Sequence, residues 1–357
     1  MEKIFVKGCE AVAEAAVRAG CRFFAGYPIT PQNEVPEYLA RKLPQVGGIF
    51  VQAESEIASI SMVFGAAAGG TRSMTSSAST GVSLMSEGIS ALAGAHLPAV
   101  ICNFQRSGPG ISNIQPSQQD YNQATKAHGH GAFRMLVLAP STLQEAADMT
   151  YRAFDLADKY LNPVYLLLDG FTGAMMEPIV FPDPKSDEWI LENKASKAGW
   201  ALFDGNLREE RRRAMGGRND QEPDNIASAE MYERWKGTEV EYEETLTDDA
   251  ELIITAYGIS ARFAGAAVKK LREEGLKVGL IRPVKVYPFP EEAFDKLDYT
   301  RVRGILSVEM SIPANFAEDV KYAACRRAPV KTCLSSGGNI LELDAILDAA
   351  RELYGSR

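Results

Sequence analysis

The chain has 357 residues, of which 46% are hydrophobic, and this is enough material for two globular domains. Its formal net charge of −9 argues against a nucleic-acid partner. The sequence also contains no uninterrupted run of ~18 apolar residues, which is the length that a membrane-spanning helix needs. The one basic cluster, Arg208 with the three arginines at 211–213, adjoins Glu209 and Glu210, which is typical of a solvent-exposed helix face.

Five cysteines are scattered along the chain and form no CxxC motif. This chain alone therefore offers no ligand set for a zinc ion or an iron–sulfur cluster. Cys102 lies in the apolar run AVICNF and is expected to be a small core residue. The odd number and wide spacing indicate a reducing compartment, so we expect a cytoplasmic protein.

The first 182 residues alternate short apolar runs with helical patterns. The N-terminal segment predicts a strand and a helix, not a signal peptide, because Glu14 and Arg18 interrupt its apolar face. Near-continuous apolar strands separated by amphipathic helices indicate a parallel sheet covered on both faces. The predicted strands are 23–25, 48–51, 72–75, 99–102, 135–138 and 164–168, and the predicted helices are 10–19, 56–69, 82–93 and 142–160.

Two further segments follow this first predicted domain, residues 1–182. Residues 183–247 are polar and charged, which predicts a linker with helical pieces; its aromatic anchors are Trp189, Trp200, Phe203, Tyr232 and Trp235. Residues 248–357 predict a smaller parallel α/β domain. In that domain ELIITAYG, KVGLIRPVKVYPFP, GILSVEMS and VKTCLS each predict one strand.

A turn and a carboxylate follow the first two strands after the N-terminal helix. The turn is Tyr27-Pro28-Ile29-Thr30-Pro31, and Glu56 opens a helix directly after the next strand. A carboxylate in a dry pocket at the carboxyl edge of a parallel sheet could hold the aminopyrimidine ring of thiamine diphosphate (TPP) and share a proton with it. Glu56 could equally be a first-turn residue that favours the helix dipole, and Glu54 competes for the same role.

Arg106 follows another predicted strand and opens a Gly-Pro-rich loop. A guanidinium in a cleft suits a substrate carboxylate because two N–H donors match two oxygens. The alternative is a surface arginine. Thr30 offers a hydroxyl and a backbone N–H between two prolines that stiffen the turn, and its alternative is a plain turn residue.

Several common signatures are absent from the sequence: there is no GxSxG, no GxxxxGK[ST] and no GxGxxG after a strand. The histidines are His96, His128 and His130. The HGHG tract at 128–131 has no carboxylate-rich motif beside it. We therefore predict no metal site in this chain and expect His130 in a loop or facing substrate.

The order of motifs resembles the alpha subunit of the 2-oxoacid:ferredoxin oxidoreductases over nearly the whole chain. The likeness is weakest in the segment 185–247. The motifs that carry it are GYPITP, QAESEIASISMVFGAAAGG, MTSSASTGVSLMSEG, RSGPGISNIQPSQQDYNQA and NPVYLLLDGF, followed by AYGISAR, VGLIRPVKVYPFP and VEMSIPANFAEDV.

The resemblance implies a pyrimidine-type TPP-binding domain followed by a smaller transketolase C-terminal-like domain. It assigns Glu56 to the aminopyrimidine nitrogen and Arg106 and Thr30 to the substrate. Tyr27, Pro28, Ile29 and Thr30, with the loop Ser79-Thr80-Gly81, would line the cofactor. The family's diphosphate motif, GDG followed by an Asn pair, is missing after Leu168. A beta subunit would therefore carry the diphosphate half of the site.

The implied reaction is CoA-dependent oxidative decarboxylation of a 2-oxoacid to acyl-CoA, CO₂ and reduced ferredoxin. The implied substrate is 2-oxoisovalerate or another branched-chain acid, then 2-oxoglutarate, with pyruvate less favoured. Mg²⁺ and iron–sulfur (4Fe–4S) clusters would lie on partner subunits, namely beta, gamma and a ferredoxin-like delta, in a dimer of hetero-oligomers. Two alternatives are half of a non-oxidative transketolase- or decarboxylase-like enzyme and a non-catalytic assembly subunit.

Overall fold

The computed structural model describes residues 3–126, 128–197 and 221–355. The basic cluster beginning at Arg208 and the predicted anchors Trp200 and Phe203 lie outside these residues. None of the helices in the described ranges combines the length and apolar composition that a bilayer crossing requires.

The strands fall into three sheets. They are β1 (Ile4–Lys7), β2 (Phe23–Gly26), β3 (Ile49–Gln52), β4 (Ser73–Ser77), β5 (Val100–Gln105), β6 (Leu136–Leu138), β7 (Val164–Asp169), β8 (Met176–Ile179), β9 (Tyr242–Thr245), β10 (Leu252–Thr255), β11 (Val278–Pro283), β12 (Lys285–Tyr287), β13 (Gly304–Glu309) and β14 (Val330–Leu334).

The helices connect these strands and cover both faces of the sheets. They are α1 (Gly8–Arg18), α2 (Glu34–Lys42), α3 (Glu56–Ala68), α4 (Ser79–Leu84), α5 (Ser86–Gly94), α6 (Tyr121–Thr125), α7 (Leu143–Tyr160), α8 (Gly170–Ala174), α9 (Asp187–Lys197), α10 (Glu222–Thr238), α11 (Ser260–Glu273), α12 (Glu291–Asp295), α13 (Phe316–Ala324) and α14 (Leu343–Gly355), with a 3₁₀ turn at Leu43–Val46.

The larger sheet confirms the predicted parallel α/β architecture. Within the described residues its order is β12-β6-β7-β5-β4-β2-β3, and every pair except β12–β6 is parallel. Alternate residues of its central strands enter two different cores: Ile101 and Tyr165 pack on one face, and Cys102 and Leu166 on the other. Burial on both faces explains why these strands read as continuous apolar runs.

The smaller sheet has the order β14-β13-β10-β11-β9, with β9 antiparallel to its neighbour and the other pairs parallel. The strand β9 lies inside the segment 183–247. The remaining described strands, β1 and β8, form an antiparallel ribbon that the sequence patterns did not predict. The predicted domain limits, 1–182, 183–247 and 248–357, stay a prediction.

Two predicted elements were wrong. The run KVGLIRPVKVYPFP was expected to be one strand, but it divides into β11 and β12, which belong to different sheets. Pro283 has no backbone N–H to continue the first ladder, and the N–H groups of Val284 and Lys285 both donate to the carbonyl of Glu241. The predicted helix 82–93 is two helices that meet at Met85, next to Ser86, whose hydroxyl donates to the Ser83 carbonyl (2.8 Å).

Helix α10, which lies in the predicted linker, is held by a large aromatic residue and by ion pairs. Trp235 is fully buried and its ring packs against the rings of Tyr160 and Tyr232. Just after the helix, Glu239 accepts hydrogen bonds from Lys159 and Lys285, both at 2.8 Å. These bonds lower the pKa of Glu239 to about 2 although burial acts in the opposite direction. The ion pairs of Glu239 therefore connect the end of α10 to the larger sheet.

Gln118 is the buried connection between the loop after β5 and the smaller α/β unit. Its side-chain amide donates to the Tyr257 carbonyl (2.9 Å) and accepts from the Ser260 hydroxyl (2.5 Å) and the Met310 N–H (3.0 Å). Its backbone N–H donates to the Met310 carbonyl (2.9 Å), and its carbonyl accepts from the Tyr257 hydroxyl (3.1 Å). Both the side chain and the backbone of Gln118 thus hold the loop against the smaller unit.

We predict that Gln118→Ala lowers the free energy of unfolding by about 3 kcal/mol, because it leaves three buried polar groups of the smaller unit without partners. Urea denaturation followed by fluorescence measures this. Gln115→Ala, a change at an exposed glutamine of the same loop, is the control and should change the free energy by less than about 1 kcal/mol. Equal losses in the two variants would contradict the role of Gln118.

Candidate active site

Six parallel strands of the larger sheet end at one edge, and each is followed by a segment with polar residues or glycine. The loops after β2, β3, β4 and β5 carry Thr30, Glu56, Ser79 and Arg106 respectively. The order of the strands reverses at β2, because β3 is added on one side of it and β4 on the other while all three strands stay parallel. Ligands of open parallel sheets bind in the crevice at such a switch point.

Glu56 is the first residue of α3 and is buried, whereas Glu54 is exposed. Ser55 caps this helix by accepting a hydrogen bond from the Ala58 N–H (3.2 Å). A Cβ added to Gly81 would overlap with both Oε1 of Glu56 and the hydroxyl of Ser77. The Ser77 hydroxyl is itself buried and has no hydrogen-bond partner. Glu56, Ser77 and Gly81 therefore form one tightly packed group.

Arg106 joins the loop after β5 to the turn after β2. Its guanidinium donates from Nη1 to the Thr30 carbonyl (3.1 Å) and from Nη2 to the Ile111 carbonyl (3.2 Å). The residue is buried, and its Nε has no hydrogen-bond partner. Pro31 and Pro116 both approach Gly170, so the turn and the loop meet above β7. The sequence-predicted pair Thr30 and Arg106 is thus brought into direct contact.

A second set of hydrogen-bonded polar residues, which the sequence analysis did not identify, lies against the backbone of Arg106. The hydroxyl of Ser79 lies 2.5 Å from Oδ2 of Asp120, and the Asn103 amide donates to the same oxygen (2.8 Å). Burial raises the pKa of Asp120, and these two hydrogen bonds oppose the rise. Asn103 is a polar residue inside an apolar strand, and that contrast was the sequence signal that could have indicated the group.

The other predicted cofactor-binding residues lie around these groups. Thr80 follows Ser79 in the first turn of α4 and is partly buried, as is Ile29, whereas Tyr27 and Pro28 are exposed on the turn after β2. Because Ser79 and Gly81 share this turn, α4 connects the Arg106 group to the Glu56 group.

The histidines of the HGHG tract differ in environment. His130 is in a loop and largely exposed, with Nδ1 at 3.0 Å from the Glu87 carboxylate. His128 is buried against Tyr165, and burial lowers its pKa to about 4, so it is neutral near pH 7. In the described part of the chain no three His, Cys, Asp or Glu residues are grouped as a metal site.

Asp169 directly follows Leu168, where the sequence lacks the diphosphate motif of the family that it resembles, and its side chain makes a structural contact. Its carboxylate caps α8 by accepting from the Thr172 N–H (2.9 Å). Burial raises the pKa of Asp169 to about 6, against the effect of its hydrogen bonds.

Two family models match the chain, one after the other. The thiamine-diphosphate-binding model of the pyruvate flavodoxin/ferredoxin oxidoreductases matches residues 14–243. The chain belongs to this family. The core domain II model of pyruvate:ferredoxin oxidoreductase matches residues 250–346. The resemblance drawn from the motifs is thereby confirmed, and the chain is a subunit of the 2-oxoacid:ferredoxin oxidoreductase type.

Two curated family members and one solved structure are close relatives. The ketoisovalerate oxidoreductase subunit VorB of Methanothermobacter thermautotrophicus is 46% identical over 98% of this chain and 97% of its own length. The 2-oxoglutarate synthase subunit KorA of Methanocaldococcus jannaschii is 35% identical over 85% and 87%. The 2-oxoglutarate:ferredoxin oxidoreductase from Magnetococcus marinus superposes with a TM-score of 0.84 and 25% identity, covering 99% of this chain and 65% of that one.

We predict that Gly81→Ala abolishes most oxidoreductase activity of the assembled enzyme, because the added methyl group forces Glu56 and Ser77 apart. A displacement of ~1 Å in an active site can cost ~10²-fold in rate, so a loss of that order is expected. The measurement is acceptor reduction by the complex isolated through a tag on this chain. Gly94→Ala, in a helix where an added Cβ meets nothing within 4 Å, is the control and should retain activity. Full activity of the Gly81 variant would contradict the packing argument.

Proposed function

We propose that this chain supplies the aminopyrimidine half of a TPP site and the substrate-carboxylate site in an enzyme that oxidises a branched-chain 2-oxoacid. The reaction consumes the 2-oxoacid and CoA, releases CO₂ and acyl-CoA, and passes two electrons to ferredoxin. The observation that carries this proposal is the buried guanidinium of Arg106, which lacks a carboxylate partner.

The other buried cations of the described residues are neutralised. Arg72 pairs with Asp158 (2.8 Å), Lys285 with Glu239 (2.8 Å) and Arg282 with Glu145 (2.8 Å). Among the described residues Arg106 contacts only two carbonyl oxygens through its guanidinium. An unneutralised buried charge is costly, and a carboxylate that accepts from it removes that cost. A 2-oxoacid carries such a carboxylate beside its reactive carbonyl group.

The residues around Glu56 fit the aminopyrimidine of TPP. Glu56 is buried, and its carboxylate lies so close to Gly81 that only a residue without a side chain fits there. The unpartnered hydroxyl of Ser77 adds a free donor and acceptor at the same place. When bound, TPP supplies the electron sink for decarboxylation. Glu56 would hold a proton shared with the ring nitrogen, while Thr30 and Arg106 would orient the substrate and exclude water from it.

Similarity and side-chain chemistry favour a branched-chain substrate. Identity is 46% to a subunit named for ketoisovalerate and 35% to one named for 2-oxoglutarate. Arg106 donates to the backbone carbonyl of Ile111, and the apolar side chain of Ile111 is 80% exposed. A dicarboxylic acid needs a second cation, whereas an isopropyl group needs an apolar wall. We therefore propose 2-oxoisovalerate as the substrate, with 2-oxoglutarate as the alternative.

Partner subunits complete the proposed enzyme. A beta subunit would carry the diphosphate half of the site with Mg²⁺, and gamma and ferredoxin-like delta subunits would carry the 4Fe–4S clusters. An apolar face beside Glu56 supports a partner at this position: Ile57, Met62 and Leu84 are exposed on α3 and α4. Exposed apolar surface next to a half-built site is typical of a subunit interface.

We predict that Glu56→Gln assembles normally and loses activity by a factor on the order of 10²–10⁴, because the amide cannot exchange a proton with the cofactor ring. The matched control is Glu54→Gln, which changes the exposed neighbour and should keep activity within about twofold. TPP and iron contents of the purified complexes establish that both variants are assembled. Normal turnover of the Glu56 variant, or loss only in the Glu54 variant, would reject the assignment.

The function itself is tested on the native complex, purified anaerobically through a tag on this chain. CoA-dependent viologen reduction is followed with 2-oxoisovalerate, 2-oxoglutarate, pyruvate and an arylpyruvate. We expect the highest kcat/KM with 2-oxoisovalerate. A higher value with 2-oxoglutarate would overturn the substrate assignment alone. Absence of activity together with absence of co-purified iron would favour a non-oxidative TPP enzyme.

A further inference from the structure

The hydroxyl of Ser79 lies against both polar groups of the Arg106 backbone. It accepts a hydrogen bond from the Arg106 N–H (2.9 Å) and lies 3.1 Å from the Arg106 carbonyl oxygen. The backbone N–H of Ser79 in turn donates to Oδ1 of Asn103 (2.9 Å) on the neighbouring strand β5. Ser79 is therefore fixed by its own backbone before its side chain reaches Arg106.

Asp120 determines where the hydroxyl proton of Ser79 points. A serine hydroxyl has one proton and can donate it either to Asp120, 2.5 Å away, or to the Arg106 carbonyl. The distance to Asp120 is the shorter of the two and a carboxyl oxygen there also accepts from Asn103, so the proton goes to Asp120 and the oxygen lone pairs face the Arg106 N–H. Asn103 holds the carboxylate in place from its other side (2.8 Å).

The guanidinium of Arg106 is less constrained than its backbone. Its contacts are two carbonyl oxygens on two different loops, and Nε is free. With its two acceptors on separate segments, this side chain depends on the position of its own Cα for its reach. Any rotation of the Arg106 peptide would move the guanidinium relative to the Thr30 turn.

We propose that Asp120 and Ser79 are positioning residues for the 2-oxoacid: together they set the peptide of Arg106 and so aim its guanidinium at the substrate carboxylate. This rests on the proposed function, in which Arg106 binds that carboxylate. Neither residue touches the substrate in this arrangement. Their effect falls on substrate binding and leaves the chemistry at Glu56 unchanged.

The test uses the whole complex carrying Ser79→Ala, Asp120→Asn or both, with Ser83→Ala as the control. Ser83 is an exposed hydroxyl one turn further along α4. The quantities measured are KM and kcat for 2-oxoisovalerate, KM for CoA, and the inhibition constant of 2-hydroxyisovalerate. The last compound keeps the carboxylate and cannot react, so its inhibition constant reports binding alone.

For each single variant we expect KM for 2-oxoisovalerate and the inhibition constant to rise about tenfold, and for Asp120→Asn, which changes no predicted cofactor-binding residue, kcat should change less than about twofold. The double variant should be no worse than the more affected single variant, because both changes break one chain of hydrogen bonds. KM for CoA and all constants of Ser83→Ala should match the wild type.

Unchanged KM and inhibition constants, a loss confined to kcat, or failure of both single variants to assemble would each overturn the positioning role. Arg106→Lys separates this inference from the proposed function. If the Arg106 variant weakens both constants and the Ser79 and Asp120 variants do not, only the inference fails. If Arg106→Lys also leaves both constants unchanged, the proposed substrate site fails with it.

Discussion

The loop between β5 and α6 has to satisfy buried polar groups on two sides at once, and the site depends on that constraint. On one side Gln118 exchanges hydrogen bonds with the backbone and side chains of the smaller α/β unit. On the other side Asp120 and Arg106 bond to the turn of α4 and to the turn after β2. Buried donors and acceptors left without partners are costly, so the loop has few alternative conformations.

This arrangement places an unneutralised charge where a substrate would use it. Because Arg106 is buried beside carbonyl oxygens alone, the fold itself tolerates a cost that a bound carboxylate removes. Groups fixed in advance need little reorganisation when a ligand arrives, and this is how protein dipoles and charges act most strongly. The stability of the loop, carried by Gln118, thus offsets the cost of the buried charge of Arg106.

Much of the architecture could be predicted because its causes are local. Strands such as β5 and β7 are mainly apolar except towards their carboxyl ends, since both faces are covered, and this pattern is visible in the sequence. The predictions failed where tertiary contacts competed with local pattern. Residues 278–287 look like one strand, yet Lys285 and Tyr287 pair with β6 of the other sheet because Pro283 cannot continue the ladder.

The sequence by itself determined the βα alternation and therefore which residues follow the carboxyl ends of the strands, among them Thr30, Glu56 and Arg106. Position in the chain could not decide between Glu54 and Glu56, since both follow the same strand two residues apart, and the preference for Glu56 came from the family resemblance. Only the tertiary structure buried one carboxylate against Gly81 and left the other exposed. Periodicity is a property of neighbouring residues, whereas burial and hydrogen-bond partners are set by segments that are distant in the chain. The contact between Asp120 and Ser79 is of this second kind.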